Sequence, residues 1–183
     1  MGHEFNEGAA LGTSRPGSAV RPAAVAGSFY PRGPEELNAT VAGLLAAQHG
    51  SARPPKALIV PHAGYIYSGR VAATAFAPLR GRASAIERVV VIGPAHYIAV
   101  RGIASPMVDA FETPLGRLPV DHDSLAAITD LSFVVSADGP HAPEHALEVE
   151  LPFLQTLLKP FAVVPHRKMW LTFFAGSGAG RKR

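Results

Sequence analysis

Three short apolar runs constrain this chain more than any other feature of its sequence. They are Ala57-Leu58-Ile59-Val60, Val89-Val90-Val91-Ile92 and Phe161-Ala162-Val163-Val164. Each is too short for a buried helix and none alternates with polar residues, so each reads as a strand covered on both faces. Such strands belong to parallel sheets layered between helices. Between the first two, residues 70–79 are rich in small side chains and read as a helix. Strand, loop, helix and strand in that order describe a right-handed βαβ unit, and the expected class is α/β.

The other segments fit around this frame. Residues 1–20 are rich in Gly, Ala and Ser without a period and read as a disordered leader. Gly33-Pro34-Glu35-Glu36 opens a helix, with proline early and acids in the first turn, and Leu37, Val41, Leu44 and Leu45 give it one apolar face. Residues 103–113 and 115–120 suit short edge strands or a hairpin, and 123–129 a helix capped by Asp121 or His122. From 144 to 158, Leu147, Leu151, Leu154 and Leu158 keep helical spacing, with Pro152 kinking or restarting the helix. Beyond Pro165 the pattern stops, and a basic, glycine-rich end follows that is expected to pack poorly against the rest. The expected division is a leader over 1–20, an α/β domain over 21–165 and a tail over 166–183.

Composition narrows the classes. The chain has 183 residues, enough for one domain, and 48% of them are hydrophobic, which excludes wholesale disorder. It has no cysteine, so disulfides, thiolate metal sites and cysteine nucleophiles are excluded. No apolar run reaches the ~18 residues of a membrane span and no signal-peptide core precedes the domain, so a cytoplasmic protein is the expectation. The net charge of +3 misleads about partners. Five of the 17 basic residues follow Pro165, which leaves 12 against 14 acids before it. Without a basic stripe, nucleic acid is not an expected partner.

Two histidines stand just past predicted strands: His62 after Val60-Pro61, and His96 after Ile92-Gly93-Pro94-Ala95. That edge of an α/β sheet is where ligands bind, and imidazole is the commonest side-chain metal ligand. A local surface role explains either histidine alone; the matched pair favours a shared crevice. Gly64 permits a tight approach beside His62; Tyr65 reads as a phenol at a rim more than as a packing group, while Tyr67 suits the rim or the packing of a helix entry equally. A third cluster, His141-Ala142-Pro143-Glu144-His145-Ala146-Leu147-Glu148, puts His145 and Glu148 on one face of the expected helix. That face suits ligation or base chemistry, although local sequence by itself favours the capping of a solvated helix start by the same residues. There is no phosphate loop, no dinucleotide fingerprint and no serine elbow in a strand–turn–helix context.

Taken together, five collinear stretches carry a resemblance. They are Ala26-Gly27-Ser28-Phe29-Tyr30-Pro31, Pro61-His62-Ala63-Gly64-Tyr65-Ile66-Tyr67-Ser68-Gly69, Gly93-Pro94-Ala95-His96, Phe111-Glu112-Thr113-Pro114-Leu115-Gly116 and Glu144-His145-Ala146-Leu147-Glu148-Val149-Glu150-Leu151-Pro152-Phe153-Leu154. The chain resembles the Memo-like family, known in prokaryotes as protein B of the AmmeMemoRadiSam system. The resemblance implies a three-layer α/β/α sandwich similar to class III extradiol dioxygenases. It implies a metal pocket with His62 and His96 as ligands, iron or copper as the metal, and redox chemistry on a small substrate. On it we assign Tyr65, Glu144 and His145 as the catalytic candidates.

The chain also departs from the family pattern. Members continue for roughly another hundred residues, about the gap to a large single domain. That part carries a Ser-Asp-x-x-His segment and the cysteine that is the third ligand. The expectation for this chain is a truncated or frameshifted reading after about Pro165, with an incomplete metal site. Three functions follow: a metal-dependent oxidoreductase, a module that binds a peptide or AmmeMemoRadiSam partner proteins, or an inactive fragment.

Overall fold

The computed structural model describes residues 19–49, 55–158 and 160–168. In chain order the elements are β1 (Val20–Arg21), α1 (Pro34–Ala46), α2 (Tyr65–Phe76) running into a 3-10 helix (Ala77–Ala85), β2 (Arg88–Pro94), β3 (Ile103–Ser105), β4 (Ala110–Thr113), β5 (Gly116–Pro119), α3 (His122–Ala126), β6 (Val134–Ser136), a 3-10 turn (Glu148–Glu150), α4 (Leu151–Leu157) and β7 (Ala162–Lys168). The class is α/β, as expected. Among the described residues no helix is long and apolar enough to cross a membrane.

Two sheets carry the fold. In the larger, the order is β2-β7-β3-β6; β2 and β7 run parallel from Arg88↔Ala162 to Pro94↔Lys168, and β7 meets β3 antiparallel. The smaller sheet joins β1 parallel to β4, which turns into β5 as a hairpin. Helices α1, α2 and α4 share one apolar core with Val163 and Val164 of β7. Phe76 stacks on Phe153 at 5.2 Å between ring centroids, tying α2 to α4. Pro34 opens α1 as expected, and Asp121 caps α3 by accepting from the Ser124 N–H.

Several expectations need correction. Residues 57–60 form no strand: Leu58 and Val60 pack against the core, but Ile59 is 91% exposed. β2 likewise turns Val90 and Ile92 outward, at 58% and 63% exposure. A continuous apolar run shows that both faces tolerate burial; which face is covered depends on what packs there. Without a strand at 57–60 the expected βαβ unit is not formed, and the parallel partner of β2 is β7. The expected helix over 144–158 is broken into turn, 3-10 turn and α4, with Pro152 in the first turn of α4, because proline restarts a helix that it cannot continue.

The boundary at Pro165 also moves. His166, Arg167 and Lys168 complete β7, and His166 and Arg167 are buried, so the charge that follows the apolar run lies within the strand and not beyond its end. The expected leader, apart from its last two residues, and the tail beyond Lys168 lie outside the described residues.

Candidate metal centre

Glycine packing brings the site together. Gly64 caps the start of α2, and a Cβ there would stand 3.3 Å from the Phe29 carbonyl oxygen. The Tyr65 N–H donates to that same oxygen at 2.8 Å. The Phe29 loop is thereby locked to the loop carrying His62, and the Phe29 ring lies 4.6 Å from the His145 ring. At the end of β2, Gly93 leaves room for Leu147 and Ala146, so the His96 loop closes on the turn that carries Glu144 and His145.

Three imidazoles converge there. Ring centroids are 5.3 Å apart for His62 and His96, 4.7 Å for His96 and His145, and 5.9 Å for His62 and His145. One ligand atom of each lies within 4.8 Å of the other two. Nitrogens about 2.1 Å from a single ion are at most about 4.2 Å apart, a spacing close to the one found here. Burial, followed by the proximity of His96, lowers the pKa of His62. Burial also lowers that of His145, against the pull of Glu144. Both effects favour the neutral ring that binds metals.

Glu144 supports the group from behind. Its buried carboxylate accepts from the His96 ring Nδ1 at 2.9 Å, from the His96 N–H, from the His145 N–H at 2.9 Å and from the Ala146 N–H at 3.1 Å. Burial alone would raise its pKa; the hydrogen bonds from His96 and Ala146 and the charge of Arg167 outweigh it and hold the carboxyl at about 2. An ionised carboxylate accepts only, so His96 carries its proton on Nδ1 and keeps its lone pair on Nε2. His145 Nδ1 lies 3.3 Å from Glu144 Oε1 but outside hydrogen-bonding geometry, and it is buried without a hydrogen-bond partner among the described residues. Such a nitrogen, beside His62 and His96, fits a metal ligand set.

Other candidates go elsewhere. Tyr65 is buried between Tyr30 and Phe153 and its hydroxyl donates to the Val149 carbonyl at 2.8 Å, so it is a core residue with a satisfied phenol. Burial and the charge of Glu150 raise its pKa well above the ordinary value. Tyr67 is exposed. Glu148 does not share a face with His145: it pairs with Arg21 and accepts from Tyr30 and from the Ala24 and Val25 N–H groups. Sequence reasoning missed Arg21 and Arg167, both buried behind the histidines. An arginine three residues past the apolar run ending at Val164 was the available signal.

These features define an α/β protein with three histidines from separate loops gathered beside a buried carboxylate. The chain belongs to the Memo-like protein family, whose family model matches residues 21–172. It is 39% identical over 147 residues to a MEMO1 family protein of Aquifex aeolicus, covering 80% of this chain and 54% of that protein. A MEMO1 family protein of Ignicoccus hospitalis is 40% identical over 158 residues, covering 80% and 55%. A memo-1 homolog of Caenorhabditis elegans is 35% identical over 154 residues, covering 81% and 43%. The chain spans about half the length of these relatives.

Proposed function

We propose that this Memo-like chain holds a metal ion with His62, His96 and His145, and that the ion serves redox chemistry on a small organic substrate. The observation that carries the reading is the convergence of three ring nitrogens within 4.8 Å, with Glu144 orienting His96. An all-imidazole set suits copper, iron, zinc or nickel, and the family resemblance favours iron or copper. His145 takes the third position in this reading, in a chain without cysteine. Three protein ligands leave open positions, where a bound ion would act as a Lewis-acidic or redox centre.

Within this reading the chain's own groups have distinct tasks. His62, His96 and His145 bind, and Glu144 fixes the proton of His96 on Nδ1 and takes no direct part in ligation. The Phe29 ring packs tilted against His145 at 4.6 Å between ring centroids and lends that side of the group an apolar neighbour. The fold is read as part of a three-layer α/β/α sandwich of the dioxygenase kind. AmmeMemoRadiSam system proteins are the proposed partners.

Calorimetric titration with iron(II), copper(II) and zinc(II) tests the metal reading. One ion per chain is expected, with binding lost in a His62/His96 double alanine variant. Binding that survives the double variant would place the ion elsewhere. A peptide-binding reading of the same crevice has one observation in its favour: Tyr97 is exposed and stands edge-on to His145 at 6.1 Å. Peptide binding without metal would favour it.

A further inference from the structure

Arg167 is the largest fully buried side chain among the described residues. It sits on β7 between Gly93 of β2 and Ala104 of β3. Its Nη1 donates to the Pro94 carbonyl at 3.2 Å and lies 3.9 Å from Glu144 Oε1; its Nη2 donates to the Glu144 carbonyl at 3.3 Å. Pro94 stands two residues before His96, and Glu144 directly precedes His145. One guanidinium therefore ties together the two loops that deliver two of the three histidines. It also supplies the positive charge facing the carboxylate that holds His96. Arg21 donates to the Glu144 carbonyl as well, at 2.6 Å, but its charge is matched by Glu148.

We propose that Arg167 is a positioning residue for the metal centre, acting through Glu144 and Pro94 to fix the orientation and the proton of His96. The proposal rests on the reading of the three histidines as a metal-binding group. A buried guanidinium is costly unless paired and hydrogen-bonded, and its planar fork reaches two carbonyls and a carboxylate at once, which a lysine ammonium does not. Outer partners of this kind set the tautomer and angle of a ligating imidazole. Among the described residues Arg167 makes no hydrogen bond to a ligand side chain itself; its effect passes through Glu144, which bonds both the backbone and the ring of His96.

The test compares the wild-type chain with Arg167→Met and Arg167→Lys, each checked for folding by circular dichroism. Nitrogen-15 NMR of labelled histidines in the metal-free protein, above the ordinary histidine pKa, reads the tautomer of His96, which a purely structural role would leave unchanged in a folded variant. Cobalt(II) titration reads affinity. The wild type is expected to hold the His96 proton on Nδ1. Arg167→Met is expected to show mixed tautomers and a loss in affinity of about 10- to 100-fold, the usual effect of removing an outer partner. Arg167→Lys, which keeps the charge without the fork, is expected to fall between. A folded variant with wild-type His96 signals and wild-type cobalt affinity overturns the proposal, and if Arg167→Met does not fold, Arg167→Lys decides by the same criterion. Should the wild type take up no cobalt while Arg167→Met still releases the His96 tautomer, the metal reading falls and the positioning role stands.

Discussion

Glu144 accepts from both the backbone N–H and the ring Nδ1 of His96, so a single carboxylate fixes where that histidine stands and which nitrogen it offers. Glu144→Gln brings an amide NH2 to a pocket already filled with donors, beside a buried Arg167 that loses its counter-charge. Breaking a buried pair of this kind costs about 3–5 kcal/mol. The expected outcome is a fall in thermal midpoint together with weakened metal uptake. A variant that melts with the wild type would show that the carboxylate is dispensable to the fold.

Tyr65→Phe separates a core tyrosine from a catalytic one. It removes the donor to the Val149 carbonyl but keeps the ring between Tyr30 and Phe153. A buried carbonyl left without its partner costs about 1–3 kcal/mol. Denaturant unfolding should register that loss, while metal affinity in calorimetry stays unchanged. A drop in affinity with full stability would return Tyr65 to the site.

Burial pushes the Glu150 carboxyl up to about 8, and its Oε2 is buried without a partner among the described residues. The folded chain therefore keeps a proton that the unfolded chain releases at ordinary carboxylate pH. Its contribution to stability is whole below the unfolded pKa and is lost as pH rises through about 8. The decline approaches about 1.4 kcal/mol per pH unit between the two pKa values. Glu150→Gln should remove this slope, so that denaturant midpoints of variant and wild type diverge as pH rises; parallel profiles would contradict it.

His166, Arg167 and Lys168 should matter to stability more than their basic character suggests. They pair with Ile92, Gly93 and Pro94 at one end of β2, and the first two are buried. A chain ended after Pro165 should lose cooperative thermal unfolding that a chain ended after Lys168 retains. Equal melting of the two would show that these residues add nothing to the sheet.

Much of the site was legible in one dimension. His62 and His96 follow apolar runs in loops opened by glycine and proline, and that placement predicts a shared crevice. His145 was visible as a candidate, but as a helix-face neighbour of Glu148. The turn preceding α4 separates them, sending His145 to the other histidines and Glu148 to Arg21. The spacing rule failed because it assumes a continuous helix, and Pro152 begins one only after both residues.

The sequence by itself determined the class of fold, the helix opened by Pro34, the cap at Asp121 and the identity of His62, His96, Glu144 and His145 at the centre. Those follow from local chemistry: fixed proline φ, side-chain capping and the apolar content of short runs. Tertiary structure alone decided which faces of the apolar runs are covered, leaving Ile59, Val90 and Ile92 exposed while Val163 and Val164 are buried. It also decided that Arg167, 23 residues along the chain from Glu144, would stand behind it. Burial and charge pairing are properties of what packs nearby, and neither is encoded in the spacing of residues along the chain.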